Sequence, residues 1–299
     1  MTEQFDAIVI GAGHNGLVCA ALLGKAGRKV LVLEANEQVG GAAITRKFAD
    51  GFSVSACAHL LYQLQPEVKK DLGLHIALAT DDMETIALST DGRHVRYSGD
   101  RVQGVSDADA GSYQEFHRRM SRFGSLLQTY LNKAPPRLGT NDKKDLFTLA
   151  RLGLDLRLLG RKEMREFLRL IGMNIHDEVT ERFESGLLKG ALSLDAVLGT
   201  HLGPRSPNTI MTYLYRMSGN AGRLATAAGG MGTVSEALAQ AARSNGVTIR
   251  TGMPVQRVIV DNGRVTGVQS KGGETFSSMT VISNADPKTT LLNLVGARH

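Results

Sequence analysis

Residues 5–34 read FDAIVIGAGHNGLVCAALLGKAGRKVLVLE. The apolar run Phe5 to Ile10 predicts a short buried strand, and Gly11-Ala12-Gly13-His14-Asn15-Gly16 predicts a glycine turn behind it. Leu17 to Ala26 then reads as a helix closed by Gly27, and Val30 to Leu33 as a second strand ending on Glu34. Strand, glycine turn, helix and strand within about thirty residues form the βαβ unit that binds dinucleotides. Gly11 allows the tight turn, Gly13 lets the backbone approach a pyrophosphate, and Gly16 lets the helix pack closely on the strand. Ala12, His14 and Asn15 share the turn, and the unpaired N–H groups of the helix start face the phosphates. Glu34 lies eighteen residues past Gly16 at the strand tip, where a carboxylate accepts hydrogen bonds from ribose hydroxyls. It also repels a 2′-phosphate, which disfavours NADP and leaves FAD and NAD.

Six residues after the acid, in Glu34-Ala35-Asn36-Glu37-Gln38-Val39-Gly40-Gly41-Ala42, a glycine pair offers a second stretch of bare backbone. On GAGHNGL followed by LEANEQVGGAAITR, the chain resembles the phytoene dehydrogenase-related branch of the FAD-dependent amine oxidase and carotenoid desaturase superfamily. The resemblance implies an α/β fold, a Rossmann-like FAD-binding domain of GR2 type with an inserted α+β substrate domain. It implies FAD on Gly11, Ala12, Gly13, His14, Asn15, Gly16, Glu34, Ala35, Gly40, Gly41 and Ala42, with the backbone near Val255 against the adenine and Asn284 following a strand of the same sheet as the first. Many members carry an arginine directly after the glycine pair; this chain has Ala42, so a phosphate contact from that position is not expected. The implied division is 1–60 and 225–299 for the cofactor and 61–224 for the substrate. Complete members continue with a glycine-rich segment that covers the flavin, so the chain is expected to match about the first half of the architecture.

With 299 residues the chain is long enough for about two domains, and its 42% hydrophobic and 21% charged content is that of a folded protein. No run of apolar residues is long enough for a spanning helix, and no signal pattern opens the chain. The expected location is the cytoplasm in a bacterium or the mitochondrial matrix in a eukaryote. Cys19 and Cys57 are too few and too far apart for a disulfide framework or a zinc site, and both read as small buried residues. The net charge of +6 is concentrated: residues 113–170 hold thirteen Lys and Arg against six Asp and Glu, a net of +7. That region reads as a solvated helical face or as a peripheral membrane contact through anionic headgroups. Aromatic content of 5% and the lack of a recognition module argue against nucleic acid.

Along the chain, Asp50-Gly51 predicts a turn between short strands, and Ala56 to Tyr62 a strand-like run containing His59, read as a group near the flavin or as a structural histidine. Pro66 to Leu72 predicts a helix stopped by Gly73, and Thr90-Asp91-Gly92 a hairpin turn between Met83–Ser89 and Arg93–Tyr97. Helices are predicted from Asp107 or Asp109, as cap, through Leu131, then over 143–169, 177–191 and 208–217. Gly229-Gly230-Met231-Gly232 before the helix Thr233 to Ser244 reads as a second anion site or a tight crossing. Short strands follow at 247–250, 255–260, 264–269, 275–276 and 281–283.

No Ser/His/Asp order, HExxH or metal-ligand spacing is visible, so catalytic residues are unknown and no metal is expected. The resemblance implies a FAD-dependent oxidoreductase that moves a hydride from an apolar or amine small molecule to flavin. The alternatives are a truncated, inactive nucleotide-binding or interaction protein of unknown partner, and an NAD-dependent dehydrogenase; NAD is also the candidate second nucleotide.

Overall fold

In the computed structural model, which describes residues 3–131 and 133–296, every residue of the strands Ala7–Ile10 and Val30–Leu33 is buried. Strands that are apolar at every position need cover on both faces, and here they have it. The chain opens with β1 (Glu3–Gln4), β2 (Ala7–Ile10), α1 (His14–Lys25), β3 (Val30–Leu33), the hairpin β4 (Thr45–Ala49) and β5 (Phe52–Ser55), α2 (Pro66–Asp71) and β6 (Leu78–Thr80). Next come β7 (Thr85–Ala87), β8 (Val95–Ser98), β9 (Arg101–Gln103), α3 (Asp107–Leu131), α4 (Lys143–Leu158), α5 (Arg161–Leu170), α6 (Ile175–Arg182), α7 (Gly186–Val197) and α8 (Thr209–Ser218). β10 (Thr226–Ala227), α9 (Met231–Ser244), β11 (Thr248–Arg250), β12 (Val255–Asp261), β13 (Arg264–Ser270), β14 (Thr275–Ser277), β15 (Val281–Ser283) and a π-helical stretch, Thr289–Gly296, follow.

Contacts divide the chain into two compact units. The first is Met1–Leu61 with Pro66–Thr80 and Thr226–His299; the second is Tyr62–Gln65 with Asp81–Ala225. In the first unit a four-stranded sheet of order β11-β3-β2-β15 is parallel throughout. Ile8, Ile10, Leu31 and Leu33 point from one face of it into a core with Phe5, Val258, Val268, Phe276 and Leu294, contributed largely by the second sheet, β1-β14-β13-β12. Because side chains alternate along a strand, Val9 and Val32 point the other way, where α1 packs on the strands and on α9. Each fully buried Ile or Leu in this sheet contributes roughly 2 kcal/mol.

The second unit has its own core, built on α3 and α8. Phe116, Met120 and Phe123 of α3 meet Tyr213, Leu214 and Met217 of α8, with Phe167, Leu188 and Leu192 around them. Gly124 lets the two helices touch: a Cβ there would lie 2.8 Å from the Met217 carbonyl carbon. An antiparallel sheet β7-β8-β9 adds Val95 and Tyr97 to this core.

Several expectations are corrected. Residues 66–80 fall in the first unit, because β6 pairs antiparallel with β10 there. The helix expected over 143–169 is two, α4 and α5, separated at Gly160, whose φ of 88° only glycine adopts readily. The helix expected over 177–191 is also two, broken where Ser185 caps α7 by accepting from Leu188 N at 3.3 Å. Asp109 caps that second break instead of its own helix, accepting from Glu184 N at 2.9 Å and Ser185 N at 2.8 Å. At the start of α3 it is Ser106 Oγ that accepts, from Asp109 N at 3.2 Å. The run around Cys57 and His59 is not a strand, and both residues are exposed, whereas Cys19 is half-buried in α1. The predicted ends at 1–2 and 297–299 lie outside the described residues.

Candidate functional site

Two bare-backbone segments meet at the start of α1. Gly11, at φ 95°, leaves β2 with its N–H donating to Leu33 O at 2.8 Å, and Gly13 is the N-cap of α1 with no side-chain cap. The glycine pair folds back beside it: Gly40 N donates to Ala12 O at 2.8 Å, and Gly13 and Gly40 form a parallel bridge. A Cβ on Gly41 would lie 3.3 Å from the Gly13 Cα. Both members of the pair have positive φ, 126° and 59°, so the second glycine stretch is required by backbone conformation as well as by space.

Glu34 is 5% exposed at the tip of β3 and ties this region together. Its Oε2 accepts from Ala12 N at 2.7 Å, and its Oε1 accepts from Asn36 N at 3.0 Å and Asn36 Nδ2 at 2.9 Å. Its backbone oxygen accepts from Met253 N at 2.8 Å, which brings the segment leading to Val255 alongside the acid. The Glu34 carboxylate is therefore a post of the glycine turn itself, and of its roughly four acceptor sites about one, on Oε2, is left for a ribose hydroxyl. Replacing it by an amide would set an NH2 against an N–H.

Asn284 closes the other side. Its N–H donates to Ile10 O at 2.8 Å, and its Nδ2 lies 2.6 Å from where a Gly13 Cβ would be and 3.2 Å from a Gly16 Cβ. At Gly16 a Cβ would also lie 2.3 Å from the Gly11 carbonyl oxygen, so that glycine is demanded by the fold. His14, Asn15, Ala35, Gly41 and Ala42 are exposed around this cradle. The Val255 side chain packs against the apolar core of the first unit.

Sequence reasoning missed Asn36, whose side-chain amide holds Glu34 and whose backbone oxygen accepts from Gly252 N at 2.9 Å. The acid followed two residues later by asparagine was the available signal. The second anion site offered for residues 229–232 is not free: Met231 N donates to Ser55 Oγ and Gly232 N to Thr45 Oγ1, both at 3.0 Å. Those N–H groups face hydroxyls of the β4–β5 hairpin, which makes the cluster a tight crossing. Among the described residues no group of His, Cys, Asp and Glu is arranged to hold a metal.

The arrangement fits the diphosphate and ribose of a dinucleotide, since a helix start without a side-chain cap and glycines that leave the backbone bare adjoin a buried carboxylate. Comparison with known proteins agrees. The chain is 32% identical to pyridine nucleotide-disulfide oxidoreductase domain-containing protein 2 of Rattus norvegicus, over 98% of this chain and 55% of that protein. It is 28% identical to a limonene dehydrogenase polypeptide of Castellaniella defragrans, over 96% of this chain and 53% of that one. It thus spans about half the length of the curated relatives it matches. A solved oxidoreductase from Methanosarcina mazei shares the fold, with a TM-score of 0.59 at 20% identity over 96% of this chain and 60% of that chain. The family described as flavin containing amine oxidoreductase matches residues 16–293, from the last glycine of the turn into the π-helical stretch, and the chain belongs to that family.

Proposed function

We propose that this chain holds FAD in the cradle at the start of α1 and serves an oxidoreductase acting on an amine or an apolar small molecule. The observation that carries the reading is the meeting of Gly13, Gly41 and the Glu34 carboxylate at one uncapped helix start. The backbone of residues 11–16 takes the pyrophosphate, Glu34 the ribose, and the backbone leading to Val255 the adenine side. When bound, the flavin supplies the acceptor for a hydride leaving a substrate C–H bond. The family description supports an amine substrate, and the name of the limonene dehydrogenase relative supports an apolar one.

Titration of FAD followed by flavin fluorescence, with ADP as competitor, tests the reading. Gly13→Ala should weaken binding, and should do so equally in an Asn284→Ala background, where the new methyl no longer meets the Asn284 amide. Rescue of affinity by Asn284→Ala would place the effect in the protein's own packing, and binding of NAD without FAD would overturn the flavin assignment.

A further inference from the structure

Helix α4 is built with two apolar sides and only one of them is covered. None of its residues is fully buried. Its inner side is half-buried through Leu149, Leu152 and Leu156, with Leu156 and, just past the helix end, Leu159 against the core of the second unit. The opposite side carries Leu146, Ala150, Leu154 and Leu158 at four-residue spacing with Phe147 beside them. Leu158 is 72% exposed, Phe147 67% and Leu154 55%. A helix lying on a protein core ordinarily turns polar residues outward, and this one turns leucines outward.

The charges around that strip are sorted by sign. Lys143, Lys144, Arg151 and Arg157 are exposed along it. The two acids within α4 are half-buried and engaged: Asp145 lies 3.8 Å from Arg137, and Asp155 accepts the Tyr130 hydroxyl at 2.5 Å; Asp142, at the N-cap, is exposed but spent on the cap, accepting from Lys144 N at 2.7 Å. The same sorting continues in α5, where Arg161, Lys162 and Arg165 are exposed, while Glu163 and Glu166 sit half-buried in ion pairs with Arg119 and Arg169. An apolar strip fringed by cations, with its acids withdrawn, is complementary to a surface that is negative outside and hydrocarbon beneath. Among the described residues no helix is long and apolar enough to cross a membrane, so the contact is a surface one.

We propose that the outer faces of α4 and α5 dock on an anionic lipid bilayer, with Phe147, Leu154 and Leu158 entering the acyl boundary and the basic side chains lying among headgroup phosphates. This surface belongs to the second unit and the cradle to the first, and its test needs no flavin.

Flotation of the full chain with vesicles rich in phosphatidylglycerol, and with vesicles of phosphatidylcholine alone, reads the interaction directly. Binding to the anionic vesicles should fall by about tenfold or more as salt rises from about 0.05 to about 0.5 M. The exposed-site variant F147S/L154S/L158S should lose about tenfold or more of it. The charge variant R157Q/R161Q/K162Q/R165Q should abolish the preference for phosphatidylglycerol. The chain contains no tryptophan, so Leu154→Trp is a single reporter whose emission should shift to the blue on anionic vesicles. No flotation, equal binding to neutral vesicles, or an unshifted emission from the Leu154→Trp variant overturns the proposal. A dimer in sedimentation velocity that F147S/L154S/L158S dissociates, with no flotation of the wild type, overturns it in favour of a second copy on this face.

Discussion

At the residue scale, two glycines of one turn are glycine for different reasons. A Cβ on Gly16 would meet backbone, 2.3 Å from the Gly11 carbonyl oxygen, whereas one on Gly13 would meet the far end of the Asn284 side chain. A carbonyl held in a sheet and turn cannot step aside, but an amide group can rotate. Gly16→Ala should therefore lose about 1–3 kcal/mol of stability in urea denaturation, the range for an added methyl without room. Gly13→Ala should lose less than about 1 kcal/mol in the same measurement. Equal losses would mean that the Asn284 amide is as immovable as the Gly11 carbonyl. The Gly11 carbonyl lies within GAGHNG itself, whereas Asn284 arrives from the far end of the chain and does not follow from that motif.

At the scale of elements, the second unit is fastened by an ion network across α3, α5 and α6. Arg169 bonds Glu166 at 2.8 Å and the fully buried Glu178 at 2.8 Å, and Arg119 reaches Glu163 at 3.2 Å. Arg182 bonds Glu178 as well. The Arg169 hydrogen bond, more than the added charges of Arg119 and Arg182, holds the Glu166 carboxyl below its usual range. A lowered folded value means that the unfolded chain takes up the proton first, so this stability is present above the unfolded carboxylate value, about 4.3, and is lost as pH falls through the folded one. Thermal melts of Glu166→Gln should lie below wild type at pH near 6, and the two curves should converge towards pH near 3. A constant gap between them would remove Glu166 from the acid response. The helices that carry these pairs were legible as a helical region, but their breaks were not. Gly160 passes for an ordinary glycine in a leucine-rich run, and the break before α7 is capped by Asp109 from a different helix.

For the whole molecule, the chain falls into two units, each with its own core, and every residue assigned to the cofactor lies in the first. Ligand that binds only the folded state stabilises it by mass action, by about 2.7 kcal/mol at a hundredfold excess over Kd. Hydrogen exchange with saturating FAD should accordingly slow at the amides of α1, β2 and β3, where the turn is anchored. Unchanged exchange there, with FAD bound, would move the cofactor away from this cradle.

Residues 5–34 by themselves determined the parallel βαβ start, because an uninterrupted apolar strand, a glycine turn and a strand-end acid are local signals read within one turn of chain. The hairpin at Asp50-Gly51 and the strands β11 to β15 were legible for the same reason, each being bounded by its own turn residues. What only the tertiary structure decided were the partners that come from elsewhere: Asn284 against Gly13, Met253 on Glu34, and Thr45 and Ser55 on the start of α9. The same holds for residues 66–80, whose sequence resembles any short helix and strand and whose place is set by β6 pairing with β10. A hydrogen bond between segments some two hundred residues apart depends on chain crossings that no local pattern encodes, and those crossings made a nucleotide fingerprint into a cradle.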